Sequence, residues 1–151
     1  MNTTEEKAIH SFRSGLNCAQ SVVTAYADRL KYDTIQAAGL SCGFGGGMGR
    51  LQQTCGAVTG AFMVLGMYYS QRIPDQAERK NITYAAVRKL HSDFKLKCGT
   101  ADCRSLLGCD LQTEEGMRFH KETNQSKTIC EKCIAAAVEL LDEMMNDELR
   151  M

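Results

Sequence analysis

The chain has 151 residues, 18 of them Lys or Arg and 18 Asp or Glu, so its formal charge is zero. That length supports one domain with its own hydrophobic core, and a neutral balance gives no sign of the basic face with which nucleic-acid binders meet phosphate. Eight cysteines are more than a core of this size needs as staples, so they call for a chemical explanation.

One proline, Pro74, and an abundance of Ala, Leu, Met, Lys, Glu and Gln give a helix-forming composition, and no stretch alternates with period two. The expected fold is an all-α, single-domain helical bundle over residues 1–151. The N-terminal MNTTEEKAIHSF carries acids and no apolar run, so no secretory signal is expected. It reads as a first helix over 3–14, closed by Gly15. A second helix, 18–31, places Ala19, Val22, Val23, Tyr26 and Leu30 at helical spacing. A third, short helix spans 33–42. Residues 39–49 follow, six of these eleven being glycine.

The fourth helix, 55–71, carries Val58, Ala61, Phe62, Leu65 and Tyr69 in one stripe. Arg50 and Arg72 bracket 21 uncharged residues there. The apolar part, 57–69, is nevertheless shorter than the ~20 residues a membrane span requires, so a buried helix is expected. Pro74 and Asp75 open a fifth helix to about 97, with Gly99 as its stop. Residues 99–126 read as irregular with helical pieces at 103–107 and 114–120. A last helix covers 127–148, where Cys130, Cys133, Ile134, Ala137, Val138, Leu141 and Met145 form one apolar stripe. The acidic stretch from Asp142 to Glu148 reads as a solvated helix end.

Three cysteines share a local grammar. Asn17 precedes Cys18, Thr54 precedes Cys55 and Asp102 precedes Cys103, and Asn, Thr and Asp are strong helix N-cap residues. Each cysteine is thereby expected at the first helical position, where unpaired N–H groups and the positive end of the macrodipole stabilise a thiolate. Cys130 is expected near the start of the last helix, pointing inward. Cys42, Cys98, Cys109 and Cys133 each fit inert burial as well as they fit function. Cys130 and Cys133 form a CxxC one turn apart, but no pair of tight motifs matches a zinc ribbon or finger, and no CxxCH marks covalent haem. His10, His91 and His120 sit in no metal-type spacing. The adjacent pairs Glu5–Glu6 and Glu114–Glu115 cannot share a helix face.

The glycine segment Ser41-Cys42-Gly43-Phe44-Gly45-Gly46-Gly47-Met48-Gly49-Arg50 lacks the Gly-Lys-Ser/Thr of a phosphate loop. Its glycines either permit positive φ in a tight turn or bare their N–H groups toward an anion, such as a sulfide-bearing cluster. Gly56 and Gly60 lie on one face of the fourth helix and would admit a neighbouring helix or a cofactor.

The segments Asn17-Cys18-Ala19-Gln20-Ser21-Val22, Gly43-Phe44-Gly45-Gly46-Gly47, Cys55-Gly56-Ala57-Val58-Thr59-Gly60 and Cys103-Arg104-Ser105-Leu106-Leu107-Gly108, with Cys130, resemble the redox-active proteins called the C_GCAxxG_C_C family. The resemblance covers nearly the whole chain. It implies four hallmark cysteines, Cys18, Cys55, Cys103 and Cys130, and an iron–sulfur cluster or similar group.

The resulting expectation is a redox protein that holds an iron–sulfur cluster through these four cysteines. Cys55 and Cys103 are the reactive pair, and Gly45, Gly46, Gly47 and Gly56 lie against the cofactor. The alternatives are a thiol–disulfide protein without cofactor and a non-redox helical protein binding zinc or a partner. A redox partner protein is expected and a homodimer is allowed; nucleic acid and membrane are not, and the location is cytoplasmic, where thiols stay reduced.

Overall fold

A computed structural model describes residues 3–149, with side chains to residue 146. Helix α1 (Thr3–Arg13) leads to α2 (Cys18–Ala27) and α3 (Thr34–Ser41). A 3-10 turn (Cys42–Phe44) and a one-turn element, α4 (Gly45–Met48), come next. The long helices α5 (Gly56–Ser70) and α6 (Gln76–Cys98) follow, then α7 (Cys103–Leu107), α8 (Glu114–Glu122) and a π-helical turn (Ser126–Cys130) that runs into α9 (Glu131–Leu149). The all-α expectation holds: among the described residues the one extended pairing is an isolated antiparallel bridge, Thr54 to Asp102.

Local chemistry explains most boundaries. Asn17 caps α2 in a complete capping box: its side chain accepts from the Gln20 N–H at 2.9 Å, and its own N–H donates to Gln20 Oε1 at 3.0 Å. Asp33, Asp75, Asp102 and Thr113 cap α3, α6, α7 and α8 with one half of that arrangement, each side chain accepting from the N–H three residues on. The closing turn of α2 carries the chain to Lys31, which takes φ 63°. There the Tyr32 N–H bonds back to Ala27 O and the Lys31 N–H to Asp28 O, a Schellman closure with lysine where glycine is usual.

The core lies between α1, α2, α5, α6 and α9. Tyr26, Val58, Leu65, Leu90, Phe94, Ile134 and Leu141 are fully buried in it. α2 and α5 approach closely because Gly60 has no side chain: a Cβ there would lie 2.9 Å from Ala19 O. The neighbour that Gly60 admits is therefore a helix. Two ion pairs, Arg13–Glu131 at 2.8 Å and Lys97–Glu139 at 2.9 Å, tie α1 and α6 to α9. Asp142 departs from the solvated-end expectation. It accepts from Tyr26 Oη at 2.8 Å and pairs with Arg29 at 3.5 Å, because the inward side of α9 sets it beside α2. Among the described residues no helix is long and apolar enough to cross a membrane.

Candidate functional site

Two short backbone segments set the centre of the site. Residues 52–55 run antiparallel to 101–104: Cys55 N–H donates to Ala101 O at 2.7 Å, Cys103 N–H to Gln53 O at 2.7 Å, and Arg104 N–H to Gln52 O at 3.1 Å. This clamp brings the starts of α5 and α7 together. Gln52, buried beside it, donates from Nε2 to Cys109 O and accepts from the Leu111 N–H, which pins the loop after α7. Each bond satisfies a backbone group that would otherwise be buried without a partner.

Cys18 and Cys103 occupy the first positions of their helices, as expected. Cys55 does not. It is itself the N-cap of α5, with φ −49° and ψ 134°, because Thr54 is held extended in the bridge to Asp102 and cannot turn to cap. Cys55 makes no formal side-chain capping bond, but the N–H groups of Ala57 and Val58 lie where they favour its thiolate. Cys130 ends the π-turn ahead of α9, half-buried, packed with Cys103, Leu107 and Leu111.

All four cysteines line one cavity of about 460 Å³, and Cys133 joins them. Gly45, Gly46, Gly49, Gly56, Arg50 and His120 complete much of the wall, and among the described residues no carboxylate lines it. The expectation for the glycines divides. Gly45, Gly46 and Gly56 reach the cavity, whereas Gly47 is buried behind it, where a Cβ would lie 2.7 Å from the Cys103 Cβ and from the Gln52 Cα. A side chain on Gly45 would overlap Asn17, and one on Gly56 would overlap the Cys18 sulfur. These glycines first allow the chain to fold tightly on the cysteines.

The glycine segment is unusual in hand. Gly46, Gly47, Met48, Gly49 and Arg50 all take φ between 62° and 69°, one left-handed turn. L-residues rarely string such conformations together, each non-glycine member costing ~1–2 kcal/mol. The turn is held by Gly49 N–H to Gly45 O at 2.9 Å and by the Asn17 Nδ2 bond to Cys42 O at 2.8 Å. Its product is a Gly46 N–H aimed at the Cys18 sulfur, so the segment supplies both positive φ and a bared donor.

The thiols do not share the lowered pKa expected of helix starts. Only Cys55 is held below the ordinary thiol range, first by a hydrogen bond from Cys133 and then by the Ala57 and Val58 N–H groups, against the effect of burial. Burial, then the charge of Cys55, raises Cys18 despite its N–H donors. The same two causes push Cys103 up to about 12. Cys130 also rises to about 12, through burial and the neighbouring sulfurs. Cys133 is raised by its bond to Cys55 and by burial. In a poorly hydrated cavity one thiolate is stabilised and its charge opposes the next.

Sequence reasoning missed two wall residues. Cys133 stood at even odds, and its signal was the CxxC with Cys130. His120, which sits in no metal-type spacing, faces the cavity, held by Gln125 Oε1 at Nδ1 (2.8 Å) and by Ser126 Oγ near Nε2 (3.3 Å). No spacing marks it: it sits in the last turn of α8, and Gln125 and Ser126 from the segment that follows hold its ring. Cys42 is exposed, and Cys109 points to Gln125.

All eight cysteines are free thiols. Among the described residues no three His, Cys, Asp or Glu side chains gather closely enough to hold a single metal ion. No curated protein and no solved structure matches the chain. Residues 16–144 match the family model described as "putative redox-active protein (C_GCAxxG_C_C)", and with most of its length covered the chain belongs to that family.

Proposed function

We propose that the cavity is an electron-transfer site in which Cys18, Cys55, Cys103 and Cys130 ligate an iron–sulfur cluster. The observation that carries this reading is the convergence of four cysteines from four separate elements on one carboxylate-free wall. An all-sulfur donor set selects soft metals and iron–sulfur clusters over hard cations. The spacing also discriminates. Four thiolates around one zinc ion, at ~2.3 Å each, must sit about 3.8 Å apart, and such a grouping is absent among the described residues. A multi-iron core holds its thiolates around several metals, wider apart than a single ion does, and the cavity offers about 460 Å³. Once bound, such a cluster supplies one-electron chemistry at a potential set by its surroundings.

The chain's own residues have separable roles. Cys55 is the first thiol to ionise and so the first ligand offered. The N–H groups of Gly46, Ala19, Ala57 and Val58 neutralise part of the negative charge at Cys18 and Cys55. Arg50, exposed at the rim, adds a cation and a docking point for an acidic redox partner protein. Leu106, Leu107, Leu111 and Ile129 limit water at the wall. The reading belongs to a reducing compartment such as the cytoplasm. Anaerobic reconstitution with iron and sulfide should give brown protein with broad visible absorption. A colourless product would refute the cluster.

A second reading has its own support. The Cys133 hydrogen bond to a Cys55 held below the ordinary thiol range is the arrangement of an attacking and a resolving thiol. It predicts that cofactor-free protein forms a reversible Cys55 disulfide, seen by mass mapping.

A further inference from the structure

Gln125 is 5% exposed, and both ends of its amide are bonded. Nε2 donates to Leu107 O at 2.7 Å. A carbonyl only accepts, so the amide cannot be turned about, and Oε1 points at His120. Oε1 also only accepts. In the neutral ring His120 Nδ1, 2.8 Å away, therefore carries the proton, and Nε2 keeps its lone pair. Cys109 Sγ donates to the same oxygen at 3.5 Å, a further tie on it. His120 and Ser126 line the cavity and Gln125 does not, so the Nε2 edge of the ring is the one presented to the cavity. Nε2 meets Ser126 Oγ at 3.3 Å, a long contact with the hydroxyl of an exposed residue. An acceptor that holds Nδ1–H and leaves Nε2 open is the usual support of a metal-binding histidine. A ring that only filled space would need no such orientation.

We infer that His120 is a nitrogen donor for a metal ion entering the cavity, with Gln125 as the residue that positions it. The inference rests on the reading that this cavity takes up metal. Imidazole nitrogen suits first-row divalent ions such as iron(II) and zinc(II). The Nε2 lone pair binds such an ion without releasing a proton, whereas each thiol must lose one first. Cys103 and Cys130, pushed up to about 12, hold theirs at neutral pH. His120 therefore meets the ion before those thiols do, alongside Cys55 on the same wall and with water in the remaining positions. Capture of this kind asks for fewer protein donors than the close group of three that is absent among the described residues. The terminal positions of a finished cluster belong to the cysteines, so His120 returns to Ser126 once they are filled.

The test uses the full chain, reduced and cofactor-free at neutral pH, with nitrogen-15 histidine and zinc(II) as the probe. NMR of the ring nitrogens should show His120 protonated at Nδ1 before zinc is added. One equivalent of zinc should shift the His120 Nε2 resonance and leave His10 and His91, which do not line the cavity, unmoved. Gln125→Ala should lose the single tautomer and weaken zinc binding ~10-fold, the usual effect of removing the partner of a ligating histidine. His120→Asn should weaken it at least as much, yet reach the wild-type content of iron and sulfide after anaerobic reconstitution. Wild-type His120 protonated at Nε2, or an Nε2 resonance unmoved by zinc, overturns the inference without recourse to any variant. Zinc affinity unchanged in His120→Asn, or a lower final cluster content, also overturns it. A brown wild type whose His120 ignores zinc leaves the cluster reading standing. A colourless wild type whose His120 binds zinc refutes the cluster and leaves the nitrogen donor in place.

Discussion

Cys55 differs from every other thiol in the cavity, and the cause is a neighbour as much as a helix. Its largest support is the hydrogen bond from Cys133, ahead of the two N–H groups of α5. Replacing Cys133 by Ala should therefore raise the Cys55 pKa and slow its alkylation at pH 7 several-fold. An unchanged alkylation rate would assign the effect to the helix start alone. The glycines give a second prediction at this scale. Gly56→Ala forces a methyl into the Cys18 sulfur and should cost ~1–3 kcal/mol, the usual penalty of overpacking, read from urea unfolding. Asn17, Asp102 and the cysteines behind them were legible from capping chemistry, which acts over three or four residues. Cys133, His120 and the capping role of Cys55 were not, because each depends on a partner brought from a distant segment.

At the scale of elements, the left-handed turn over 46–50 is the costly feature. Met48 takes φ 69° without glycine's freedom. Met48→Gly should stabilise the chain by ~1 kcal/mol, by removing left-handed strain from an L-residue. Cluster uptake should be unchanged, since Met48 does not line the cavity. A destabilised variant would show that Met48 packing outweighs its strain. The helix spans were readable because most begin at a capping residue and carry apolar stripes. The π-turn over Ser126–Cys130 was not, since one inserted residue leaves the apolar stripe looking continuous. Nor was the Thr54–Asp102 bridge, as one pair of extended residues carries no period.

For the whole molecule, the crowded thiols make stability depend on pH. Cys18, Cys98, Cys103, Cys130 and Cys133 all have folded pKa values raised above the ordinary 9.0. Each contributes stability that is complete below the unfolded pKa and is lost as pH rises through the folded one. Cys55 runs oppositely, but a single lowered thiol is outnumbered. Cofactor-free protein kept reduced should therefore lose stability between pH 9 and about 12, the value reached by Cys103 and Cys130. Cys103→Ser should flatten that slope in denaturant titrations, and an equal slope would contradict a Cys103 pKa raised first by burial and then by the Cys55 charge.

The cavity itself is a property of the assembled bundle, because its four hallmark cysteines come from four separate elements. Its most direct test is iron and acid-labile sulfide counted per chain after anaerobic reconstitution, in wild type and in Cys18→Ser, Cys55→Ser, Cys103→Ser and Cys130→Ser. Full loading of the wild type and a loss in each of the four variants is the predicted result. Wild-type loading retained by all four would contradict the shared site.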